Sequence, residues 1–446
     1  MTFGKRGRLL EWWTIFLAIF FGLLILFALG VPVAFSFLFV NLVGVYLFWG
    51  GAAGLSQLIL SIYNSVTSFA LLPVPLFVLM GEIMFHSGIA PRMMDVLDKW
   101  LGRIPGRLSL LAVAGGTLFA TLTGSAMAGA AMLGSVLVPE MEIRGYKKTM
   151  TLGPILGSGG LAIMIPPSAL GVLLASLALF SVGKFLVAII LPGLLMAVLY
   201  AGYILVRCTI QPHLAPSYEI GRFSFSEKVV ATIRYIMPLA SIIFLVVGLI
   251  FLGVATPTEA AALGAMGSFV LAFLYRGLSW DLTKLSFTST LHVTVMMFMI
   301  LTGSMAFSQL LAFTGATQGL IKLAVSLPLP PFFIIVSMQF VLLLLGTFME
   351  PLTIMMVTIP IFMPIVKLLD FDPIWFGAVM LLNMEMATTS PPFGLVLFVM
   401  KSAVPSGTKM KDIYLSAIPF LICDLIAMVV IMAFPSVVLW LPSLMK

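Results

Sequence analysis

Two stretches decide how this chain folds: Ile165-Pro166-Pro167-Ser168 and Thr389-Ser390-Pro391-Pro392. Each interrupts a long apolar segment with adjacent prolines, and the two pairs lie 225 residues apart. Ahead of each pair, a second apolar segment turns on a small polar tip, Thr123-Gly124-Ser125 in the first half and Gly346-Thr347 in the second. The tips are 222 residues apart, so two different features recur at nearly one offset. Paired, broken hydrophobic segments in matching positions of two halves point to the binding site of a secondary transporter.

Composition sets the solvent. The chain is 61% hydrophobic and 9% charged, against roughly 25% charged in soluble proteins, so it belongs in a bilayer. Apolar runs of about 20 residues recur from end to end, with no polar stretch long enough for a soluble domain. Three histidines (His86, His213, His292) and two cysteines (Cys208, Cys423) are widely scattered. They offer no disulfide framework, metal cluster or nucleophile pair, and the expectation is that the protein is not an enzyme. The formal charge of +7 gathers at the ends of apolar runs, which reads as membrane topology rather than nucleic-acid binding. No Gly-Lys-Ser/Thr phosphate loop is present, which argues against a primary pump. Lys5, Arg6 and Arg8 precede an apolar run from Trp12 to Trp49, read as two retained helices broken near Gly30-Val31-Pro32 rather than as a signal peptide.

The predicted architecture is an all-α polytopic membrane protein. Helices are expected at about 12–30, 32–50 and 57–86, then a surface helix at 89–104, a hairpin at 108–140, a broken segment at 147–181 and a helix at 184–207. The order repeats at about 232–254, 258–276, 287–312, 315–327, 331–367, 373–401 and 413–441. Each half crosses the bilayer five times around its re-entrant helical hairpin, and an odd count makes the two repeats inverted. Placing 89–107 in the cytoplasm puts sixteen Lys and Arg on that face and seven on the other, with both termini periplasmic. The 89–104 segment, with Met93, Met94, Val96, Leu97, Trp100 and Leu101 on one face, lies along the interface, either as a connector or as a carrier of the hairpin behind it.

The chemistry follows from the breaks. Pro166 and Pro167 free carbonyls near Ala162 to Met164, and Pro391 and Pro392 do so near Ala387 to Thr389. Non-helical backbone at membrane depth is tolerated where it is buried in protein or lines a polar cavity. Those carbonyls, with Thr123, Ser125, Thr347 and Ser390, suit a monovalent cation such as Na⁺. Half-helix N-termini starting at the breaks favour an anion in the same cavity. The bland alternative is that the prolines only kink packed helices. Four carboxylates fall in or near apolar segments, and each is a functional candidate by default. Glu259 reads as the partner of Thr256 in a capping box. Glu350 sits at the second hairpin tip, and Glu82 and Glu385 are candidates for coupling or for pairing within the bundle.

These residues resemble the large membrane subunit of tripartite ATP-independent periplasmic (TRAP) transporters. The match runs through Met80-Gly81-Glu82-Ile83-Met84, Ser87-Gly88-Ile89, Thr123-Gly124-Ser125, Pro139-Glu140-Met141 and Arg144-Gly145-Tyr146. It continues through Ile165-Pro166-Pro167-Ser168, Thr256-Pro257-Thr258-Glu259-Ala260-Ala261 and Pro391-Pro392-Phe393-Gly394. The resemblance implies an elevator, in which a transport domain slides through a scaffold. Scaffold would comprise 1–86, 182–314 (with the cytoplasmic connector) and 403–446; the transport domain would comprise 87–181 and 315–402. It implies a separate small four-helix membrane subunit, a periplasmic substrate-binding protein, the bacterial inner membrane, and Na⁺-coupled import of an organic acid anion of the C4-dicarboxylate, keto acid or sialic acid class. No cofactor is implied beyond the coupling ion. One sodium site maps to Thr123, Gly124 and Ser125 with Ala162 and Pro167; the other maps to Gly346, Thr347 and Met349 with Ala387, Ser390 and Phe393. Substrate contacts are expected at Ser125, Pro166, Ser168, Thr389, Pro391 and Gly394. Ala126, Ala162 and Ala387 stand where relatives usually carry Ser or Gly. A stand-alone Na⁺/dicarboxylate symporter of the same fold is the competing reading.

Overall fold

Proline and glycine set the helix ends. Pro73, Pro257, Pro331, Pro351 and Pro373 each stand in the first turn of a helix, where the missing N–H costs nothing. Gly30, Gly50 and Gly51 take positive φ and close the first two helices. The computed structural model describes residues 11–102, 104–123, 126–216, 224–347, 349–392, 394–405 and 407–445.

The first half contains α1 (Trp12–Ala28), α2 (Val33–Phe48), α3 (Ala52–Val66), α4 (Pro73–His86) and α5 (Ile89–Leu101). A hairpin of α6 (Arg107–Thr123) and α7 (Ala126–Ile143) follows, then α8 (Lys148–Met164), α9 (Ala169–Ala178), α10 (Val182–Ala188) and α11 (Ile190–Ile210). The second half contains α12 (Phe225–Ala231), α13 (Met237–Phe251), α14 (Pro257–Leu274), α15 (Trp280–Phe313) and α16 (Ala316–Ser326). Its hairpin is α17 (Pro331–Gly346) and α18 (Pro351–Leu368), followed by α19 (Pro373–Thr389), α20 (Leu395–Ala403), α21 (Met410–Ala433) and α22 (Ser436–Ser443). The protein is all-α and polytopic: among the described residues seven helical segments are long and apolar enough to span a membrane, eight when α8 and α9, bent by 45°, count as one. The order hairpin, broken helix, long helix occurs once in each half.

Several expected helices are divided. The stretch 57–86 breaks between α3 and α4, where Leu72-Pro73-Val74-Pro75 restarts the helix. The stretch 413–441 breaks at Pro435 into α21 and α22. α1 and α2 have 17 and 16 residues, about 25 Å of helix, shorter than a bilayer core of about 30 Å. α5 lies on the surface as its sequence predicts, burying Ile89, Met93 and Val96, although Trp100 is turned outward and donates to Thr232 Oγ1 at 2.7 Å. Burial lifts the Asp98 carboxyl above its ordinary range, and the buried Arg107 guanidinium paired with it pulls it back. The capping box at α14 is formed: Thr256 N donates to Glu259 Oε2 at 2.8 Å, and Glu259 N donates to Thr256 Oγ1 at 3.3 Å.

The two broken helices form the interior. Every residue of α8 from Met150 to Met164 is buried, and so is every residue of α19 from Trp375 to Thr389. Around them pack α6, α7, α11 and α21. Ser109 donates to Met150 O at 2.6 Å, Trp375 Nε1 to Ile431 O at 2.8 Å, and Asn383 Nδ2 to Gln339 O at 2.8 Å. A separate set joins α2, α4, α13, α14 and α15, with Asn41 Nδ2 donating to Gly303 O at 2.7 Å and the Phe37 ring edge-on to Phe307. α11 and α21, expected to be scaffold, therefore pack on the broken helices.

One contact in this interior is testable by size. A methyl group added at Gly157 would lie 2.6 Å from Phe420 Cδ1, and one at Gly153 would lie 2.6 Å from both Phe420 Cε2 and Ser416 O. Gly157→Ala is expected to cost about 1–3 kcal/mol, as overpacked cores do. Adding Phe420→Leu should recover part of that loss in thermal unfolding of the detergent-solubilised protein, and a double variant no more stable than Gly157→Ala would contradict the packing.

Candidate functional site: one cavity at two helix breaks

α8 ends because Pro166 and Pro167 cannot extend its hydrogen-bond ladder. Ile165 N makes the last rung, to Leu161 O at 2.9 Å, and Pro166 has no N–H for Ala162 O. Ser168 bridges the gap: its Oγ accepts from Gly171 N at 3.1 Å as the cap of α9 and donates to Ile163 O at 2.7 Å. The second break is built alike. Ser390 Oγ donates to Met386 O at 2.7 Å, Thr389 Oγ1 to the same carbonyl at 3.2 Å, and Gly394 N to Ser390 O at 3.0 Å. Gly394 has to be glycine, since a Cβ there would stand 2.6 Å from Thr388 O. The Pro166–Pro167 and Pro391–Pro392 peptide bonds are both cis.

The second hairpin tip rests on its break, and in the first half the start of α7 packs on α8. A methyl group at Gly346, where α17 ends, would come within 2.1 Å of the Ala387 side chain. In the first half a methyl group at Gly159, within α8, would meet Ala126 O at the start of α7 at 3.1 Å. Small residues on both sides allow this approach, the same rule that lets membrane helices pack closely. The expected pairing of Gly346 with Ala387 is thus a direct contact. Thr347 Oγ1 is taken up by Leu344 O at 2.7 Å, and Met349 N by Leu345 O at 3.0 Å.

Both breaks and both hairpins open on one cavity of about 290 Å³. Ile163, Pro167 and Ala169 come from the first break, and Thr388, Leu395 and Val396 from the second. Ala126 and Met127 come from the first hairpin, and Glu350, Pro351 and Leu352 from the second. α4 and α15 close it with Phe77, Glu82, Met296, Met297 and neighbours. Of the sequence candidates, Pro167, Glu82 and Glu350 line the cavity directly. Ala162, Pro166, Ser168, Thr389, Ser390, Pro391 and Gly394 belong to the breaks that form its walls. Glu82 lies 3.2 Å from His86 Nε2 one turn later on α4. Thr123 is the last residue of α6, and Gly124, Ser125 and Phe393 lie outside the described residues.

Glu385 is elsewhere. It is fully buried, with its carboxyl against Gly160 of α8, where even a methyl group would collide with it. It faces the carboxyl of Asp424 on α21, and Asp424 Oδ1 accepts a hydrogen bond from the Tyr200 hydroxyl of α11. Sequence reasoning missed Asp424, although a lone carboxylate within the apolar run Ile413–Ala433 meets the same test that singled out Glu82 and Glu385. The cluster ties α8, α11, α19 and α21 together. Tyr200→Phe removes the donor to a buried carboxyl and is expected to cost about 1–3 kcal/mol. An unchanged melting temperature in detergent would contradict that role.

Comparison with known proteins gives a consistent picture. A family profile described as "Tripartite ATP-independent periplasmic transporter, DctM component" matches residues 20–437. The C4-dicarboxylate TRAP transporter large permease protein DctM of Pseudomonas aeruginosa is 32% identical over 87% of this chain and 89% of its own length. The sialic acid TRAP transporter large permease protein SiaM of Vibrio cholerae is 27% identical, covering 95% and 97%. The ectoine TRAP transporter large permease protein TeaC of Halomonas elongata is 26% identical, covering 97% and 99%. In fold, the chain is similar to the crystal structure of the Alcanivorax borkumensis YdaH transporter, with a TM-score of 0.61 and 16% identity over 86% of this chain and 89% of that one.

Proposed function

The chain belongs to the DctM family of tripartite ATP-independent periplasmic transporters, and from that premise we propose that it imports a small organic acid anion across the bacterial inner membrane by symport with Na⁺. The observation that carries this reading is the single cavity into which both helix breaks and both hairpins open. The first turns of α9 and α20 border it, and the free N–H groups of a helix start attract a carboxylate. Behind them the carbonyls of Ala162 and Ala387, deprived of their proline-side donors, are neutral oxygen ligands suited to Na⁺. Two of the named relatives are, by their names, transporters of C4-dicarboxylate and sialic acid, both anions, and the third is named for ectoine, a zwitterion that also carries a carboxylate; a carboxylate-bearing substrate fits all three. Each net positive charge carried inward would add roughly 2.3 kcal/mol of drive per 100 mV.

The proposed moving body is larger than the sequence suggested. α11 and α21 join the two hairpins and broken helices through the Tyr200–Asp424–Glu385 cluster and the Phe420 contacts. The remaining scaffold is α1 to α4 with α13 to α15. The two repeats are read as inverted, with both termini periplasmic. A separate four-helix membrane subunit and a periplasmic substrate-binding protein complete the transporter in this reading.

Proteoliposomes give the test. Uptake of a labelled C4-dicarboxylate should require the small subunit, the binding protein and an inward Na⁺ gradient together. Uptake by this chain without a binding protein would instead favour the stand-alone symporter. Ser390→Ala should leave the fold intact, because its hydroxyl serves only Met386 O, while raising the Na⁺ concentration for half-maximal uptake by about tenfold, in line with the loss of one strong polar contact. An unchanged sodium titration would count against the second site.

A further inference from the structure

Lys99 of the surface helix α5 and the segment from Ser226 to Tyr235 border an open cleft of about 680 Å³ that shares no lining residue with the cavity at the breaks. Its walls include Lys99, Ser226, Glu227, Val230, Arg234 and Tyr235. Positive charge is concentrated around it in an unusual way. The guanidinium groups of Arg92 and Arg234 both lie over the ring of Tyr235, 5.9 and 5.5 Å from its centroid. Lys228 Nζ lies 5.8 Å from the Trp100 ring. Among the described residues neither Arg92, Arg234 nor Lys228 makes an ion pair. Like charges gathered at one surface repel one another, and an anion seated among them lowers that repulsion. Glu227, which lines the cleft, is engaged as a helix cap by Ser224 N at 3.0 Å, Asp98 pairs with Arg107, and Asp95 is exposed on α5.

Apolar surface adjoins this charge. Phe225, Val230, Ile233 and Met237 are all more than half exposed along α12 and the start of α13. Phe225 meets Trp100 edge-on, with ring centroids 6.1 Å apart, and Trp100 is fixed by its bond to Thr232. An aromatic pair, a basic cleft and an exposed apolar strip, in that order, form the profile of a membrane interface. A free anion would use the cleft and leave the apolar strip wet. A lipid with a charged headgroup would cover both. Basic pockets between helices near a membrane surface are known to hold such headgroups.

We propose that the cleft beside α5 and α12 binds the headgroup phosphate of an acidic phospholipid, with Arg234 of its lining and Arg92 and Lys228 at its margin as partners and its acyl chains along Val230, Ile233 and Met237. A bound lipid would brace the surface helix from which the first hairpin springs.

The experiment is native mass spectrometry of the full chain with its small subunit, released from detergent containing equal amounts of phosphatidylglycerol and phosphatidylethanolamine. Phosphatidylglycerol adducts should dominate. Arg92→Gln/Arg234→Gln, at two exposed positions, should reduce their retention by about fivefold or more for each charge removed. Lys367→Gln, a basic residue elsewhere, should leave retention unchanged, and matched melting temperatures show that the variants are folded. Val230→Glu, which keeps the arginines but places a charge on the acyl path, should also reduce it. Equal retention in wild-type and double variant overturns the proposal. So does displacement of phosphatidylglycerol by millimolar inorganic phosphate, which would identify a free-anion site, or a cleft closed to lipid by the small subunit.

Discussion

A backbone N–H or C=O left without a partner inside a bilayer costs several kcal/mol, and this constraint governs the molecule. The chain breaks two helices at membrane depth and so creates the very groups that lipid cannot satisfy. It answers by burying α8 from Met150 to Met164 and α19 from Trp375 to Thr389, with α6, α7, α11 and α21 packed around them. Serine and threonine side chains then serve the loosened carbonyls: Ser168 that of Ile163, Ser390 and Thr389 that of Met386, Thr388 that of Glu385. Residues of both breaks border one shared cavity.

The same economy of space explains the small residues. Gly346 against Ala387, Gly159 against Ala126, Gly153 and Gly157 against Phe420, and Gly160 against Glu385 are close approaches that a side chain would prevent. Alanine at 126 and 387, where serine or glycine was expected from relatives, preserves the approach while giving up a hydroxyl or some backbone freedom. Glycine in these helices is a packing residue. Only at positions such as Gly30, Gly50 and Gly51 does it act through positive φ.

Much of this was legible in the sequence, because the informative signals are local. Two proline pairs at one offset, a capping box at Thr256–Glu259 and the amphipathic face of α5 each depend on residues within a few positions of one another. The division of 57–86 at Pro73 was also written locally, but long apolar runs on both sides concealed it. What the sequence withheld depends on distant partners. Nothing near Asp424 announces that Glu385 and Tyr200 meet it, and nothing in α11 or α21 shows that they pack on α8 rather than on α2 or α15. Trp100 likewise reads as part of an apolar face until Thr232, more than a hundred residues later, supplies its acceptor.

α15 carries a mechanical implication. Its 34 residues make a rod of about 50 Å, well beyond the hydrocarbon thickness, so it must cross obliquely or protrude. Among the described residues one hydrogen bond ties it to the second hairpin, from Ser304 Oγ to Met356 O at 2.6 Å, while Met296 and Met297 line the cavity. In the proposed transport motion, a slide of α18 along this rail would part that bond and shear mainly thioether and hydrocarbon surfaces, which yield easily. The contact can therefore act as a latch that registers one resting position without resisting the stroke.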